Sequence, residues 1–116
     1  MKSKPLRKFL PHVEPNCRII NLYGPAECTI AATYHVLTPE DLHSASIPIG
    51  RPMPNYQCYV LDEYLQLVGI NQLGELYIGG AGVFSGYYGR DDLSKKALID
   101  IRGQRCYKTG DLARLD

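Results

Sequence analysis

Short apolar runs alternate along this chain with clusters of glycine, proline and polar residues, and no run is long. Arg18 Ile19 Ile20 Asn21 Leu22 Tyr23 is β-branched and aromatic and stops at Gly24 Pro25, which predicts a strand that delivers its end into a loop. Thr29 to Leu37 is apolar again; a strand is expected at Ala32 to Val36, then a surface connection over Thr38 to Ser46. From Tyr56 the pattern becomes a β-meander: Gln57 to Leu61, Leu65 to Val68 and Gly74 to Ile78, with turns at Asp62 Glu63 and at Gly69 to Gln72. An antiparallel sheet follows from that spacing. Gly79 Gly80 Ala81 Gly82 is expected to end the last of these strands, because glycine weakens a strand interior.

Helical signals are few. The basic opening around Leu6, Phe9 and Leu10 reads as the end of an amphipathic helix stopped by Pro11. Pro5 and Pro11 interrupt the longer helix that a transit peptide would need. Asp91 or Asp92 can cap a second short helix, with Leu93, Ala97, Leu98 and Ile101 as its apolar stripe. Tyr107 to Leu115 returns to strand character, broken at Gly110. A compositional break near Pro48 to Pro54 divides residues 1–50, the end of an α/β portion, from residues 51–116, a β-rich portion. The fold class expected is therefore mixed α/β, rich in β.

At 116 residues the chain has the size of one domain or part of one, enough to bury roughly two thirds of its unfolded surface. Thirteen basic and twelve acidic side chains nearly cancel, so no field gathers nucleic acid or an anionic membrane. No apolar run reaches membrane-spanning length and the N-terminus has no signal-peptide core, so a soluble, cytoplasmic chain is expected. Cys17, Cys28, Cys58 and Cys106 are widely spaced, which suits buried or half-buried thiols better than zinc ligands. His12, His35 and His43 are scattered and read as surface or packing residues.

Two segments are hard to explain by packing. Asn21 Leu22 Tyr23 Gly24 Pro25 Ala26 Glu27 offers an aromatic face, backbone donors and a hard carboxylate ligand in one strand-to-loop turn, the set a nucleotide with Mg²⁺ requires. Tyr107 Lys108 Thr109 Gly110 Asp111 presents a second carboxylate after a glycine, suited to accepting hydrogen bonds from ribose hydroxyls. Either alone would be read as a turn. Gly79 to Gly82 lacks the lysine and Ser/Thr of a P-loop.

The order and spacing of Asn21 to Glu27, Ile49 Gly50 Arg51 Pro52, Gly74 to Gly80 with Val83, Gly86 and Tyr87, and Tyr107 to Leu112 resemble the AMP-forming adenylation domains of nonribosomal peptide synthetases. The resemblance runs from about residue 5 to 116. It implies the adenylate-forming ligase fold, with the end of an α/β subdomain followed by antiparallel strands of a distorted β-barrel. It further implies that Tyr23 stacks on adenine, that Asn21, Gly24 and Ala26 line the nucleotide, that Glu27 helps hold Mg²⁺ and that Asp111 binds the ribose. Leu22, Ile30 and Ala31 match positions lining the substrate side-chain pocket, and their apolar character favours a hydrophobic amino acid. ATP, Mg²⁺, a carboxylate substrate and a carrier domain bearing phosphopantetheine are the implied cofactors and partners.

Departures from the family pattern bear on activity. Ala26 stands where a threonine usually contacts the α-phosphate, Phe84 Ser85 replace an Ala-Arg pair, and Ile70 to Leu73 differ from the usual turn. The family's phosphate loop and α-amino-binding aspartate match nothing in this chain, nor does its C-terminal catalytic lysine. The expectation is a piece of an amino-acid-activating ligase that is inactive alone and that associates with the remainder of an adenylation domain. Two alternatives remain: a non-catalytic nucleotide-binding or interaction remnant, and a piece of an acyl-CoA synthetase-like enzyme.

Overall fold

The structure, a computed structural model, describes residues 1–116, and it arranges seven strands in two antiparallel sheets. The first sheet holds β1 (Ile20–Tyr23), β2 (Thr33–Val36) and β3 (Arg51–Pro52) in that order. The second holds β4 (Tyr56–Leu61), β5 (Leu73–Gly80), β6 (Leu98–Ile101) and β7 (Gln104–Arg114) in the order β4-β5-β7-β6. Helices α1 (Ser3–Arg7) and α2 (Asp91–Ala97) are short, and single 3₁₀ turns occupy Leu10–His12, Ala26–Cys28 and Glu40–His43. The chain is thus mixed and strand-rich, as its pattern of short β-branched runs requires.

Period-two alternation explains how the second sheet packs. Val60 lies opposite Leu76, and Ile78 opposite both Cys58 and Tyr107, so these side chains share one face. That face meets Cys28 and Ala32 from the β1–β2 connection and Val83 from the loop after β5, forming the main core. Tyr59 lies opposite Tyr77 on the other face, where Leu61, Ile101 and Cys106 make a smaller cluster.

Several expectations need correction. Leu65 to Val68 is no full strand: only an isolated bridge joins Leu67 to Leu61, because Asp62 folds the chain back by accepting from the backbone N–H groups of Tyr64 and Gln66. β5 ends at Gly80, inside the glycine-rich stretch as expected, but Gly79 is still paired in the ladder, opposite Gln57 and Cys106. A Cβ on Gly79 would sit 2.7 Å from the Gln104 side chain and 3.0 Å from the Cys106 sulfur, so a side chain at this point of the ladder would have to displace the Gln104 amide. Gly110 does not break β7. Between the pairs Glu75–Leu112 and Tyr77–Lys108 the register slips, and Thr109 to Asp111 bulge out of a continuous strand.

The helical expectations change as well. α2 forms, but Arg90 is its N-cap and no side chain caps it; Asp92 instead binds the Arg90 guanidinium at 2.9 and 3.0 Å. Leu98 and Ile101 belong to β6 rather than to a helical stripe. Pro11 sits inside a 3₁₀ turn just after α1. Of the four thiols, Cys17 is exposed rather than buried. Burial pushes Cys28 up to about 12 and Cys58 and Cys106 up to about 11, so these three resist ionising and are poor nucleophiles.

Candidate functional site

The nine residues between β1 and β2 carry most of the candidate side chains. Tyr23 is the last residue of β1, and its carbonyl accepts from the Ala32 N–H at 2.8 Å, closing the base of the loop. Gly24 is required there: a Cβ would lie 2.7 Å from backbone atoms of Ile30, Ala31 and Ala32. Ala26 to Cys28 then form a 3₁₀ turn, and Thr29 and Ile30 adopt positive φ of 60° and 73° to bring the chain back. Such backbone is uncommon for a threonine and an isoleucine and persists where surrounding bonds hold it.

Those bonds come from β4 and from the loop after β5. The Tyr56 hydroxyl donates to the Cys28 carbonyl at 2.7 Å, the Thr29 hydroxyl donates to the Gly82 carbonyl at 2.8 Å, and the Phe84 N–H donates to the Glu27 carbonyl at 2.8 Å. The loop is pinned at three successive residues.

Two further contacts involve the candidate side chains themselves. Tyr23 donates its hydroxyl to Asp111 Oδ2 at 2.5 Å across 88 positions of sequence, so the two segments singled out in the sequence are in direct contact. Burial, reinforced by that bond to a carboxylate, raises the Tyr23 phenol well above its usual range. Asp111 is exposed at the bulge in β7, and its Oδ1 has no partner within the chain. Tyr87 donates to Glu27 Oε1 at 2.7 Å and holds that carboxyl below the usual carboxylate range, helped by a backbone N–H and by Tyr107. Tyr107 lies on β7, where burial raises its own phenol.

The remaining candidates divide. Asn21 is buried and donates its amide to the Pro48 carbonyl at 2.7 Å, which ties β1 to the segment before β3. Ala26 is exposed at the start of the turn. Leu22 and Ile30 project to solvent, 57% and 81% exposed, while Ala31 is half-buried. Tyr87 and Phe84 are site residues to which sequence reasoning gave no role. Their signal was the spacing of Val83, Gly86 and Tyr87 after the glycine-rich stretch.

The donor set is suited to Mg²⁺ brought by a nucleotide. No three acidic, histidine or cysteine side chains converge to form a protein cage, but Glu27 offers one oxygen beyond the one bound by Tyr87. Mg²⁺ commonly takes one or two carboxylates plus phosphate and water oxygens. A concavity of about 670 Å³ lies elsewhere, between Leu61, Glu63, Tyr77 and Leu112, and includes none of the candidate residues.

The family model described as AMP-binding enzyme matches residues 1–88. The chain belongs to the AMP-binding enzyme family. Within it, the chain is 42% identical over 108 residues to bacitracin synthase 2 of Bacillus licheniformis, covering 92% of this chain and 4% of that protein. It is 47% identical over 98 residues to gramicidin S synthase 1 of Brevibacillus brevis, covering 82% and 9%. Among solved structures it superposes with a TM-score of 0.88 and 33% identity on a nonribosomal peptide synthetase protein containing adenylation and PCP domains, covering 100% of this chain and 24% of that one. A four-domain nonribosomal peptide synthetase bound to AMP and glycine gives a TM-score of 0.84 at 32% identity, covering 99% and 8%. This member of the family therefore has part of the adenylation-domain fold and spans a small part of the length of the relatives it matches.

Proposed function

We propose that these residues form the nucleoside side of an ATP-dependent, AMP-forming site that activates an amino acid. The observation that carries this reading is the Tyr23–Asp111 contact, which joins two distant segments into one edge carrying an aromatic ring and a free carboxylate oxygen. Adenine stacks on the Tyr23 ring, whose orientation the bond to Asp111 fixes, and the ribose hydroxyls donate to Asp111. Glu27 contributes its free oxygen to Mg²⁺, which supplies charge neutralisation at the phosphates. Asn21 acts indirectly, by holding β1 against Pro48.

Leu22, Ile30 and Ala31 line the side-chain pocket for a hydrophobic amino acid. The relatives named above are peptide synthetases, which favours an amino acid over an acyl-CoA synthetase substrate. In the whole enzyme the phosphopantetheine thiol of a carrier domain would take the acyl group from the acyl-adenylate as a thioester, with AMP as the leaving group. Residues 1–50 and 51–116 act as two subdomain portions, and the remainder of an adenylation domain covers the apolar face that carries Leu22. Ala26 offers no hydroxyl to the α-phosphate, and a missing hydrogen bond to a charged group weakens the adenylation transition state by about 1.5–3 kcal/mol.

Titration of the chain with ATP and Mg²⁺ tests this. Tyr23→Ala and Asp111→Ala should each weaken binding about tenfold, since stacking and a charge-assisted hydrogen bond are worth roughly 1–3 kcal/mol each. Equal affinity of all three proteins would sink the nucleotide reading. The isolated 116 residues should show no amino-acid-dependent pyrophosphate exchange, and robust exchange would overturn the view that they need the remainder of the domain.

A further inference from the structure

The loop after β5 reaches back to Glu27 by a route that the nucleotide reading does not use. Gly86 has φ 143°, and Tyr87 follows it with its backbone N–H donating to the Ser94 hydroxyl of α2 at 2.8 Å. A Cβ on Gly86 would lie 2.8 Å from that same hydroxyl, so the turn is built against α2. Phe84 packs edge-on against Tyr87, with ring centroids 4.7 Å apart, and edge-on against Tyr107 at 5.8 Å. Edge-to-face contacts of this kind fix ring orientation as well as adding attraction. The Tyr87 ring is therefore held at its backbone and on one side, and its hydroxyl meets Glu27 Oε1 at 2.7 Å from 60 positions away.

We infer that Tyr87 is a positioning residue: its hydroxyl fixes the Glu27 carboxylate so that the other oxygen faces the metal that accompanies the nucleotide. The inference rests on the assignment of Glu27 to Mg²⁺ above. Two features separate it from simple packing. Glu27 forms no salt bridge, and the titratable groups facing it are Tyr87, Tyr107 and Cys28, all neutral, so the hydroxyl is its principal charge-stabilising partner. In addition, Phe84 donates its N–H to the Glu27 carbonyl at 2.8 Å, so the same loop holds both the backbone and the side chain of this residue. A ligand oxygen held this way loses little conformational freedom when the metal arrives.

The test compares wild type with Tyr87→Phe, which keeps the ring and its Phe84 packing, and with Tyr88→Phe at the fully exposed neighbour as control. Two measurements are made on the 116-residue chain: the Glu27 carboxyl titration by carbon-detected NMR, and ATP affinity with and without Mg²⁺. Tyr87→Phe should move the Glu27 midpoint up toward the ordinary value and remove about fivefold of the affinity seen with Mg²⁺, while leaving metal-free affinity unchanged. Tyr88→Phe should do neither. An unmoved Glu27 titration, or an affinity loss of the same size with and without Mg²⁺, overturns the inference. If wild type binds no nucleotide while Tyr87→Phe still shifts Glu27, the nucleotide reading fails and the hold of Tyr87 on Glu27 stands.

Discussion

The two sheets of this chain are built in opposite senses. In the four-stranded sheet the apolar rows face inward: Val60, Leu76, Ile78 and Tyr107 pack one face, and Leu61, Tyr77 and Cys106 the other. In the three-stranded sheet Ile20 lies opposite Val36 and Leu22 opposite Tyr34, and all four are exposed, while the inward row is mostly polar, Asn21 opposite His35 and Thr33 opposite Tyr23, with Tyr23 its one contact to the main core. Yet the hairpin of that inverted sheet bears Tyr23, Gly24, Ala26 and Glu27. Stability is concentrated in one sheet and candidate chemistry in the other. Tyr56 and Asp111 on the four-stranded sheet and Tyr87 in the loop after β5 bond the residues of the hairpin and hold it in shape.

The strongest way to break this contrast is to remove one side chain from each sheet. Ile78→Ala, at a fully buried position, should lower the unfolding free energy by about 2–5 kcal/mol, whereas Leu22→Ala should change it by no more than about 0.5 kcal/mol. Urea denaturation reads both. Similar losses would show that the first sheet carries as much of the fold as the second. Next in size is Gly24→Ala, where the new methyl group meets backbone on three sides; a loss of about 1–3 kcal/mol is expected, together with displaced amide resonances across residues 26–32. Unchanged spectra would mean that the loop base is not tight. Tyr56→Phe sharpens the contrast at the smallest scale. It deletes only the hydroxyl bonded to the Cys28 carbonyl, so about 1 kcal/mol should go, with faster hydrogen exchange confined to the loop.

What could be read from the sequence follows the same division. β1, β2, β4 and β5 were legible because β-branched and aromatic runs stop at turn-forming or polar residues, Gly24 Pro25 after β1 and Asp62 Glu63 after β4, and such runs need no distant partner to be recognised. The meander strand at Leu65 to Val68 was misread because the Asp62 side chain organises the local turn, a choice that hydrophobic pattern does not encode. Glycine misled at Gly110, where it marks a bulge that single-chain reading takes as a break. In the site, Tyr23 and Asp111 were named from motif chemistry, but their contact depends on the pairing of β5 with β7. Tyr87 escaped for the same reason, since its role exists only once the loop after β5 folds over the β1–β2 turn.

The bulge at Thr109 to Asp111 has one further consequence, which concerns parity. Between its flanking pairs β5 advances from Glu75 to Tyr77, two residues, while β7 runs from Leu112 to Lys108, four residues. An excess of two leaves the odd-and-even order of side chains intact, so Tyr107 and Ala113 still join the core beside Leu76 and Ile78. An insertion of one residue that was not itself absorbed as an unpaired bulge residue would turn half of β7 inside out. An even-numbered excursion can therefore lift Asp111 out of the ladder toward Tyr23 without disturbing the strand on either side, and the same arithmetic says which length variants at this point a folded sheet would accept.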